Sequence, residues 1–169
     1  YQRGDWTPAR AAAIDAYLER GGGLVYVHWA LDGKDNATDF AKRIGLAGQS
    51  TTTRYRHGPI AVDFATPRHP VARNIATLRL VDETYWNLQG ELPLARVVGS
   101  VVEEGEPRPQ FWALEPSRGR VFVSIPGHYM WTFDDPLFRT VLLRGIAWAA
   151  KEPVDRFNEL VWPGARVGE

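Results

Sequence analysis

The chain has 169 residues, of which 44% are hydrophobic and 24% charged, and its 20 Lys and Arg balance 20 Asp and Glu. This composition excludes intrinsic disorder, collagen-like repeats and a coiled coil. A formal net charge of zero gives no field that would attract a nucleic-acid backbone or an anionic lipid surface, so we expect neither partner. The sequence contains no cysteine, which excludes disulfides, thiolate metal sites and a cysteine nucleophile.

The length is close to that of one domain, about 100–150 residues, and we expect a single domain over residues 1–169. No apolar run approaches the ~20 residues that cross a bilayer, and residues 1–15 lack the layout of a signal peptide. These features predict a soluble polypeptide without a membrane-inserted segment. They do not indicate a cellular compartment, and they leave open both further domains and a homo-oligomer.

The N-terminal part of the chain predicts a helix followed by a buried strand. Thr7 and Pro8 form a helix start, an N-cap followed by a proline in the first turn, and the glycines at 21–23 end the helix predicted over 8–20. The apolar run 24–27 is rich in β-branched and aromatic residues and is typical of a buried strand. Helical spacing places four side chains on the inward face of the helix: Ala11, Ile14, Tyr17 and Leu18.

The remainder of the chain predicts a second helix, several strands and a closing helix. The helices are predicted over 36–44 and 136–150, the latter capped by Asp134 or Asp135. The strands are predicted over 60–64, 78–81, 95–102, 110–114 and 120–125, the last two as a hairpin. We expect the tail to pack back through Phe157, Leu160 and Trp162. This order of elements indicates an α/β layered domain, with an all-β sandwich as the alternative.

Three predicted strands are followed directly by side chains that can carry chemistry. His28 follows the first strand, Asp82 and Glu83 follow the strand at 78–81, and His128 comes after the strand at 120–125. In a parallel α/β sheet, ligands collect at the carboxyl ends of the strands, because loops and helix N-termini converge there. Two imidazoles and a carboxylate at this edge could bind a metal ion or take up a proton from a substrate. Each residue taken alone more often has a structural role, as a hydrogen-bonded histidine, a turn or a helix cap.

The two remaining histidines differ in their surroundings. His57 lies in a basic and aromatic loop predicted at 54–58, where it is either a fourth member of the site or a surface residue. His69 precedes Pro70, which enforces an extended backbone before it, and we interpret His69 as structural.

Seven Trp and six Tyr are a high aromatic content for this length. Aromatic rings stack on the C–H faces of sugars, so rings next to the predicted strand ends would suit a carbohydrate cleft. These rings are Trp29, Trp86, Tyr129 and Trp131. The alternative is that they belong to the core, since large aromatics dominate interior burial, and for Trp86 and Trp131 the two interpretations are equal.

Seven stretches, in this order along the chain, resemble the ThuA-like, or trehalose-utilisation, family. They are residues 21–28, 69–71, 82–85, 110–112, 119–122, 127–128 and 144–150. The resemblance implies a flavodoxin-like, three-layer α/β sandwich related to the class I glutamine amidotransferases. The family's first strand, the helix after it and its second strand have no counterpart before the helix at 8–20. The resemblance therefore implies a domain that is N-terminally incomplete relative to the family.

The resemblance also implies a role in disaccharide metabolism, and 3-keto sugars made by partner oxidoreductases are the substrates that it suggests. Members of the amidotransferase superfamily carry a cysteine nucleophile just after the strand that corresponds to 24–27. This sequence has His28 and Trp29 there, so cysteine-dependent glutaminase chemistry is excluded although the fold is shared.

The leading hypothesis is an enzyme, a hydrolase or lyase acting on a small-molecule sugar or keto-sugar. Its catalytic residues are predicted to be Glu83, His128 and His28, with Glu83 or His128 as the base that removes the proton next to the carbonyl. A divalent metal ion held by His28, His57 and His128, or a histidine alone, would stabilise the enolate oxygen. The predicted sugar contacts are Trp29, His57, Tyr85, Trp86, Tyr129 and Trp131.

Two alternatives remain at this point. The chain is a non-catalytic sugar-binding or interaction module of a larger multidomain protein, in which case the aromatics matter and the histidines do not. Or the histidines only bond loop carbonyls, in which case no metal ion is bound.

Overall fold

The computed structural model describes residues 6–64 and 69–161. Its helices are α1 (Pro8–Glu19), α2 (Ala37–Ile44) and α3 (Pro136–Ala149). Its strands are β1 (Gly23–Val27), β2 (Leu46–Ala47), β3 (Arg54–Asp63), β4 (Thr77–Trp86), β5 (Gln89–Gly90), β6 (Val97–Glu103), β7 (Glu106–Leu114) and β8 (Arg120–Ser124). Among the described residues, no helix is both long and apolar enough to span a bilayer.

Two helices begin where their capping residues predict. The Thr7 side chain accepts a hydrogen bond from the backbone N–H of Arg10 at the start of α1. The Asp135 carboxylate accepts from the backbone N–H groups of Leu137 and Phe138 at the start of α3, which identifies Asp135 rather than Asp134 as the cap. Side-chain acceptors at these positions satisfy N–H groups that have no partner within the helix.

Two predictions of burial are wrong. Tyr17 of α1 is 41% exposed, because its ring covers Gly22 and its hydroxyl donates to the carbonyl of Gly23 instead of entering the core. Leu160 in the tail is 65% exposed, since it lies on a single 3-10 turn rather than on an amphipathic helix. Trp162, expected to pack beside it, lies outside the described residues.

Six strands form one curled, mixed sheet in the order β1-β8-β7-β6-β3-β4. Strands β1 and β8 are parallel, and the other neighbouring pairs are antiparallel. The predicted hairpin at 110–125 is confirmed as the antiparallel pair β7–β8. Strands β2 and β5 pair separately. Because β1 and β8 are parallel neighbours, their carboxyl ends lie at the same edge of the sheet.

The sheet lies between two helix layers, as predicted for a three-layer α/β domain. On strand β8, Val121 and Val123 pack in the core that contains α1 and α2, whereas Phe122 faces the core that contains α3. Helix α3 approaches the sheet closely at Gly145, where a Cβ would lie 2.2 Å from the ring of Phe122. All three of these side chains on β8 are fully buried, which fixes the position of the β8 carboxyl end against both helix layers.

Strands β3 and β4 extend well beyond the predicted runs at 60–64 and 78–81. Strand β3 begins at Arg54, and β4 continues through Trp86, so the two pair over their full length. The expectations that Glu83 follows a strand and that His57 lies in a loop are both wrong, since the two residues are paired partners within this ladder. Polar residues are tolerated here because each buried one has a bonding partner, as where the Thr84 hydroxyl donates to Glu103 at 2.7 Å.

The amide of Gln110 draws the end of β4 toward β7, which is not its neighbour in the sheet. Its Oε1 accepts from the Tyr85 backbone N–H at 3.3 Å, and its Nε2 donates to the Tyr85 carbonyl at 3.0 Å. Gln110 is fully buried, so both bonds are shielded from water. The curl of the sheet brings Glu83 and Tyr85 toward the carboxyl ends of β1 and β8.

His69 has the structural role expected for it. Its Nδ1 accepts from the Val71 backbone N–H at 3.3 Å, and its ring stands edge-on to Trp148 with the centroids 5.0 Å apart. Burial lowers the pKa of His69 to about 4. The fold therefore favours the neutral imidazole, whereas the unfolded chain takes up a proton near pH 6.5.

We expect the stability that depends on neutral His69 to be complete above pH 6.5 and to be lost as the pH falls from 6.5 toward 4. A His69→Asn variant keeps a side-chain acceptor for Val71 but does not titrate in this range. The unfolding free energy of the parent should therefore fall more steeply than that of the variant, by up to about 1.4 kcal/mol per pH unit. Urea unfolding of both proteins between pH 7 and pH 4.5 measures this difference, and parallel curves would contradict it.

Candidate active site

His28 stands at the turn between β1 and the 3-10 helix that follows it. Its φ of +54° is in the left-handed region, which costs most L residues roughly 1–2 kcal/mol. Because β1 and β8 are parallel, their carboxyl ends meet, and Gly127 after β8 packs against the end of β1. A Cβ at Gly127 would lie 2.8 Å from Val27 Cγ1, so glycine is required for this approach. Backbone strain of this kind is concentrated at functional sites.

Glu83 enters the site from β4, directly opposite His57 on β3. Its Oε1 lies 2.7 Å from His57 Nε2, and the Tyr85 hydroxyl donates to its Oε2 at 2.6 Å. Tyr85 is two residues farther along β4 and therefore projects from the same face of the strand. Glu83 is only 5% exposed, whereas the side chain of His57 is 45% exposed. The pair thus connects a buried carboxylate to the surface.

His128 lies in the loop after β8, which a second buried carboxylate holds in place. The Asp82 carboxylate accepts from the backbone N–H groups of Gly127 at 3.2 Å and His128 at 3.1 Å, and from the Thr132 hydroxyl. It also accepts from the backbone N–H of Glu83 at 2.7 Å. Asp82 and Glu83, adjacent in sequence, therefore do different things: Asp82 positions the loop, and Glu83 faces the imidazoles.

Two further imidazole nitrogens meet at Glu83 Oε2. His28 Nε2 lies 3.3 Å from this oxygen, His128 Nδ1 lies 3.2 Å from it, and the two nitrogens are 3.0 Å apart. The structure thus brings together the four residues predicted to share a site, His28, His57, Glu83 and His128, although His57 contacts the other carboxylate oxygen.

The protonation of His28 follows from its surroundings. Its Nδ1 lies 3.1 Å from the carbonyl oxygen of Ile125, which can only accept, so Nδ1 carries the hydrogen and Nε2 presents a lone pair to the site. Burial, the largest influence, lowers the pKa of His28, although the Ile125 carbonyl and Glu83 act in the opposite direction. Burial therefore favours the neutral form of His28.

A cavity of about 700 Å³ opens above these residues. This volume is within the range of small-molecule sites, roughly 300–1,000 Å³. The lining residues are Val27, His28, Trp29, Ser50, Thr53, Tyr55, His57, Glu83, Tyr85, Gly127 and His128. Sequence reasoning missed Ser50, Thr53 and Tyr55. Tyr55 was detectable in principle, since residues 55 and 57 share a face once β3 is extended to Arg54.

The predicted sugar-contacting aromatics divide into two groups. Trp29 and Tyr85 line the cavity and pack edge to face, with centroids 5.1 Å apart. Trp86, Tyr129 and Trp131 are not among the residues that line it.

Each of the three aromatics outside the cavity is held elsewhere by its own contacts. Tyr129 lies behind His57, with its hydroxyl 2.7 Å from His57 Nδ1, and stacks on Trp131 at 4.2 Å. Trp131 donates its indole N–H to the Val81 carbonyl beside a neighbouring depression. Trp86 buries its indole N–H at the end of β4, without a hydrogen-bond partner among the described residues.

The mixed sheet between two helix layers is a flavodoxin-like, glutaminase-like α/β fold. Within this class, the family model ThuA, described as trehalose utilisation, matches residues 2–149. The chain therefore belongs to the ThuA family, as the sequence resemblance predicted.

Solved structures confirm the fold. A ThuA-like protein from Parabacteroides merdae is 20% identical, with a TM-score of 0.69 over 89% of this chain and 68% of its own. A cytoplasmic protein from Salmonella typhimurium LT2 is 14% identical, with a TM-score of 0.54 over 80% of this chain and 56% of its own. The β-galactosidase from Rahnella sp. R3 is 14% identical, with a TM-score of 0.53 over 85% of this chain and 21% of its own.

These similarities concern the fold alone, because all three identities are low. The chain spans about two thirds of the first of these proteins, about half of the second and about a fifth of the third. No curated protein matches the chain.

Proposed function

We propose that this protein is an enzyme of carbohydrate metabolism that removes the proton next to the carbonyl of a 3-keto disaccharide. The observation that carries the proposal is the buried carboxylate of Glu83, which has imidazoles at both oxygens and borders a cavity of about 700 Å³. A carboxylate or imidazole held in this way is suited to general base catalysis. The description of the family as trehalose utilisation supports a disaccharide as the substrate class.

The two oxygens of Glu83 face different groups, and we assign a different role to each side of the carboxylate. The Oε1 side leads through His57 Nε2 at 2.7 Å to the Tyr129 hydroxyl, 2.7 Å from His57 Nδ1. This hydrogen-bonded path connects the buried carboxylate to an exposed imidazole, so a proton taken from substrate can pass toward solvent. The Oε2 side faces His28 and His128, and of these two His128 is the one whose ring N–H can donate to a substrate oxygen that gains negative charge.

In the proposed step Glu83 is the base. The bond between hydrogen and the carbon next to the carbonyl breaks, and the proton moves to Glu83. The electron pair of that bond forms a carbon–carbon double bond, and the carbonyl oxygen becomes an enolate oxygen. For a 3-keto glycoside, the enolate then re-forms the carbonyl, the electron pair between the two carbons shifts to form a C1–C2 double bond, and the bond from C1 to the glycosidic oxygen breaks. The departing oxygen takes up a proton from the protonated Glu83 or from solvent, which is the start of a lyase or hydrolase reaction.

A sugar-binding module is the second candidate, and the aromatic walls of the cavity favour it. Trp29, Tyr55 and Tyr85 present rings around the opening, and such rings can hold a sugar without any catalysis. In this case the four-residue cluster would serve only to hold the loops. Binding without proton exchange distinguishes the module from the enzyme.

We expect the protein to exchange the hydrogen next to the carbonyl of 3-keto-trehalose for deuterium in D₂O, and proton NMR of the sugar measures this loss of signal. A Glu106→Gln variant, changed at an exposed carboxylate, should retain the exchange rate. Calorimetric binding of the keto-sugar with no exchange above the buffer rate would contradict the enzyme and support the module.

A further inference from the structure

Three atoms of the site have the mutual spacing of metal ligands. His28 Nε2, His128 Nδ1 and Glu83 Oε2 are separated by 3.0, 3.2 and 3.3 Å. A first-row divalent ion with bonds of ~2.0–2.1 Å holds tetrahedral ligands roughly 3.3 Å apart and adjacent octahedral ligands roughly 3.0 Å apart. The observed separations lie in this interval without any rearrangement.

Hydrogen bonds alone account poorly for the surroundings of His28 Nε2. This nitrogen has one lone pair, because Nδ1 carries the hydrogen. Three polar atoms nevertheless lie close to it: the Tyr85 hydroxyl at 2.9 Å, His128 Nδ1 at 3.0 Å and Glu83 Oε2 at 3.3 Å. The lone pair of His28 Nε2 can accept one hydrogen bond, so at most one of these three contacts is a hydrogen bond to it. A cation would instead bind His28 Nε2, His128 Nδ1 and Glu83 Oε2 together.

The groups behind the three atoms are those that support metal ligands. A metal-binding histidine typically donates its other ring N–H to a backbone carbonyl, which fixes the tautomer and the ring orientation, as Ile125 does for His28. Ligating carboxylates are themselves hydrogen-bonded, as Glu83 is to the Tyr85 hydroxyl at 2.6 Å and to His57 at 2.7 Å. The ligands are therefore oriented by groups outside the set.

We propose that His28 Nε2, His128 Nδ1 and Glu83 Oε2 form a three-ligand site for a first-row divalent cation, with zinc as the best match. Two imidazoles and one carboxylate are a donor set that zinc accepts, and three protein ligands leave a position open to water or a substrate oxygen. His57 is not a ligand in this assignment, because it contacts Glu83 Oε1. The ligand set thus differs from the one predicted from sequence, His28, His57 and His128.

The ion would lie in the proposed active site, and its catalytic role rests on the proposed function. It would polarise the carbonyl oxygen of the keto-sugar and stabilise the enolate. Glu83 Oε1, which does not face the ion, remains paired with His57 on the proton-transfer side. Binding of the ion does not depend on the substrate.

The test is a calorimetric titration of the chelator-treated 169-residue chain with zinc chloride, in the absence of sugar. We expect one equivalent to bind, and His28→Gln and His128→Gln to weaken binding by at least about 100-fold. The matched control is His69→Asn, which removes the one histidine that lies outside the site and should retain the parental affinity. Circular dichroism verifies that each variant is folded.

Anomalous diffraction at the zinc edge, from crystals of the parent soaked in zinc, locates the ion without any substitution. An ion bonded to His28, His128 and Glu83 supports the proposal. No stoichiometric binding by the parent, or an ion on other residues, overturns it, as does loss of binding in His57→Gln with retention in His128→Gln. Because the titration contains no sugar, a lack of zinc binding would not contradict the proposed proton transfer by Glu83. A lack of deuterium exchange would likewise not contradict the metal site.

Discussion

Replacing Glu83 by glutamine should lower the turnover of a 3-keto disaccharide by about 10²–10⁴-fold, the range associated with loss of a general base. Glutamine has nearly the same shape as glutamate, but it cannot take up the substrate proton. Its amide also carries no negative charge to face the N–H of His57 or the Tyr85 hydroxyl. Steady-state kinetics and deuterium exchange on the same sugar measure the loss.

The matched control for this substitution is Glu103→Gln. Glu103 is a second buried glutamate, 7% exposed, which pairs with Arg56 at 2.6 Å and accepts from the Thr84 hydroxyl. Its replacement should lower the urea midpoint, because a buried carboxylate loses the charge that pairs with Arg56, yet leave kcat within about threefold of the parent. Turnover by Glu83→Gln within tenfold of the parent would remove Glu83 from the proposed mechanism.

The parts of the site that follow β1 and β8 were predictable from local sequence. A short apolar run flanked by glycine predicts a buried strand, and the first polar residue after such a strand lies at its carboxyl end. His28 and His128 satisfy this rule because β1 and β8 are parallel neighbours. Their ring nitrogens accordingly meet, 3.0 Å apart.

Glu83 and His57 were selected by residue type, but their placement could not be deduced. The segment 54–58 does not alternate between apolar and polar residues, so the sequence does not indicate a strand there. It forms a strand because it pairs with β4 and because Arg56 contacts Glu103, 47 residues away. Partners this far away along the chain cannot be identified from the local sequence. The strand therefore appears only when the ladder between β3 and β4 is known.

The positions of Trp86 and Trp131 depend on the tertiary structure in the same way. Each follows a candidate residue closely in sequence, yet neither lines the cavity. Trp131 is held away by its hydrogen bond to the Val81 carbonyl. Proximity along the chain to a site residue is thus a poor guide to a shared surface, because a loop can turn away within three residues.

Replacement of Asp82 by asparagine should lower the free energy of unfolding by roughly 2–4 kcal/mol. The carboxylate is fully buried and accepts from the N–H groups of Glu83, Gly127 and His128 and from the Thr132 hydroxyl. An asparagine keeps one acceptor oxygen, but its amide turns a donor toward donors. Urea unfolding measures the loss.

Two variants show whether the effect comes from this network. Thr132→Val removes one donor and should cost only about 1 kcal/mol, while Asp35→Asn, at an exposed carboxylate, should change the unfolding free energy by less than 0.5 kcal/mol. If Asp82→Asn also lies within 0.5 kcal/mol of the parent, the carboxylate does not anchor the loop. If it destabilises as expected, zinc affinity and turnover should fall with it, because the loop that Asp82 holds carries His128.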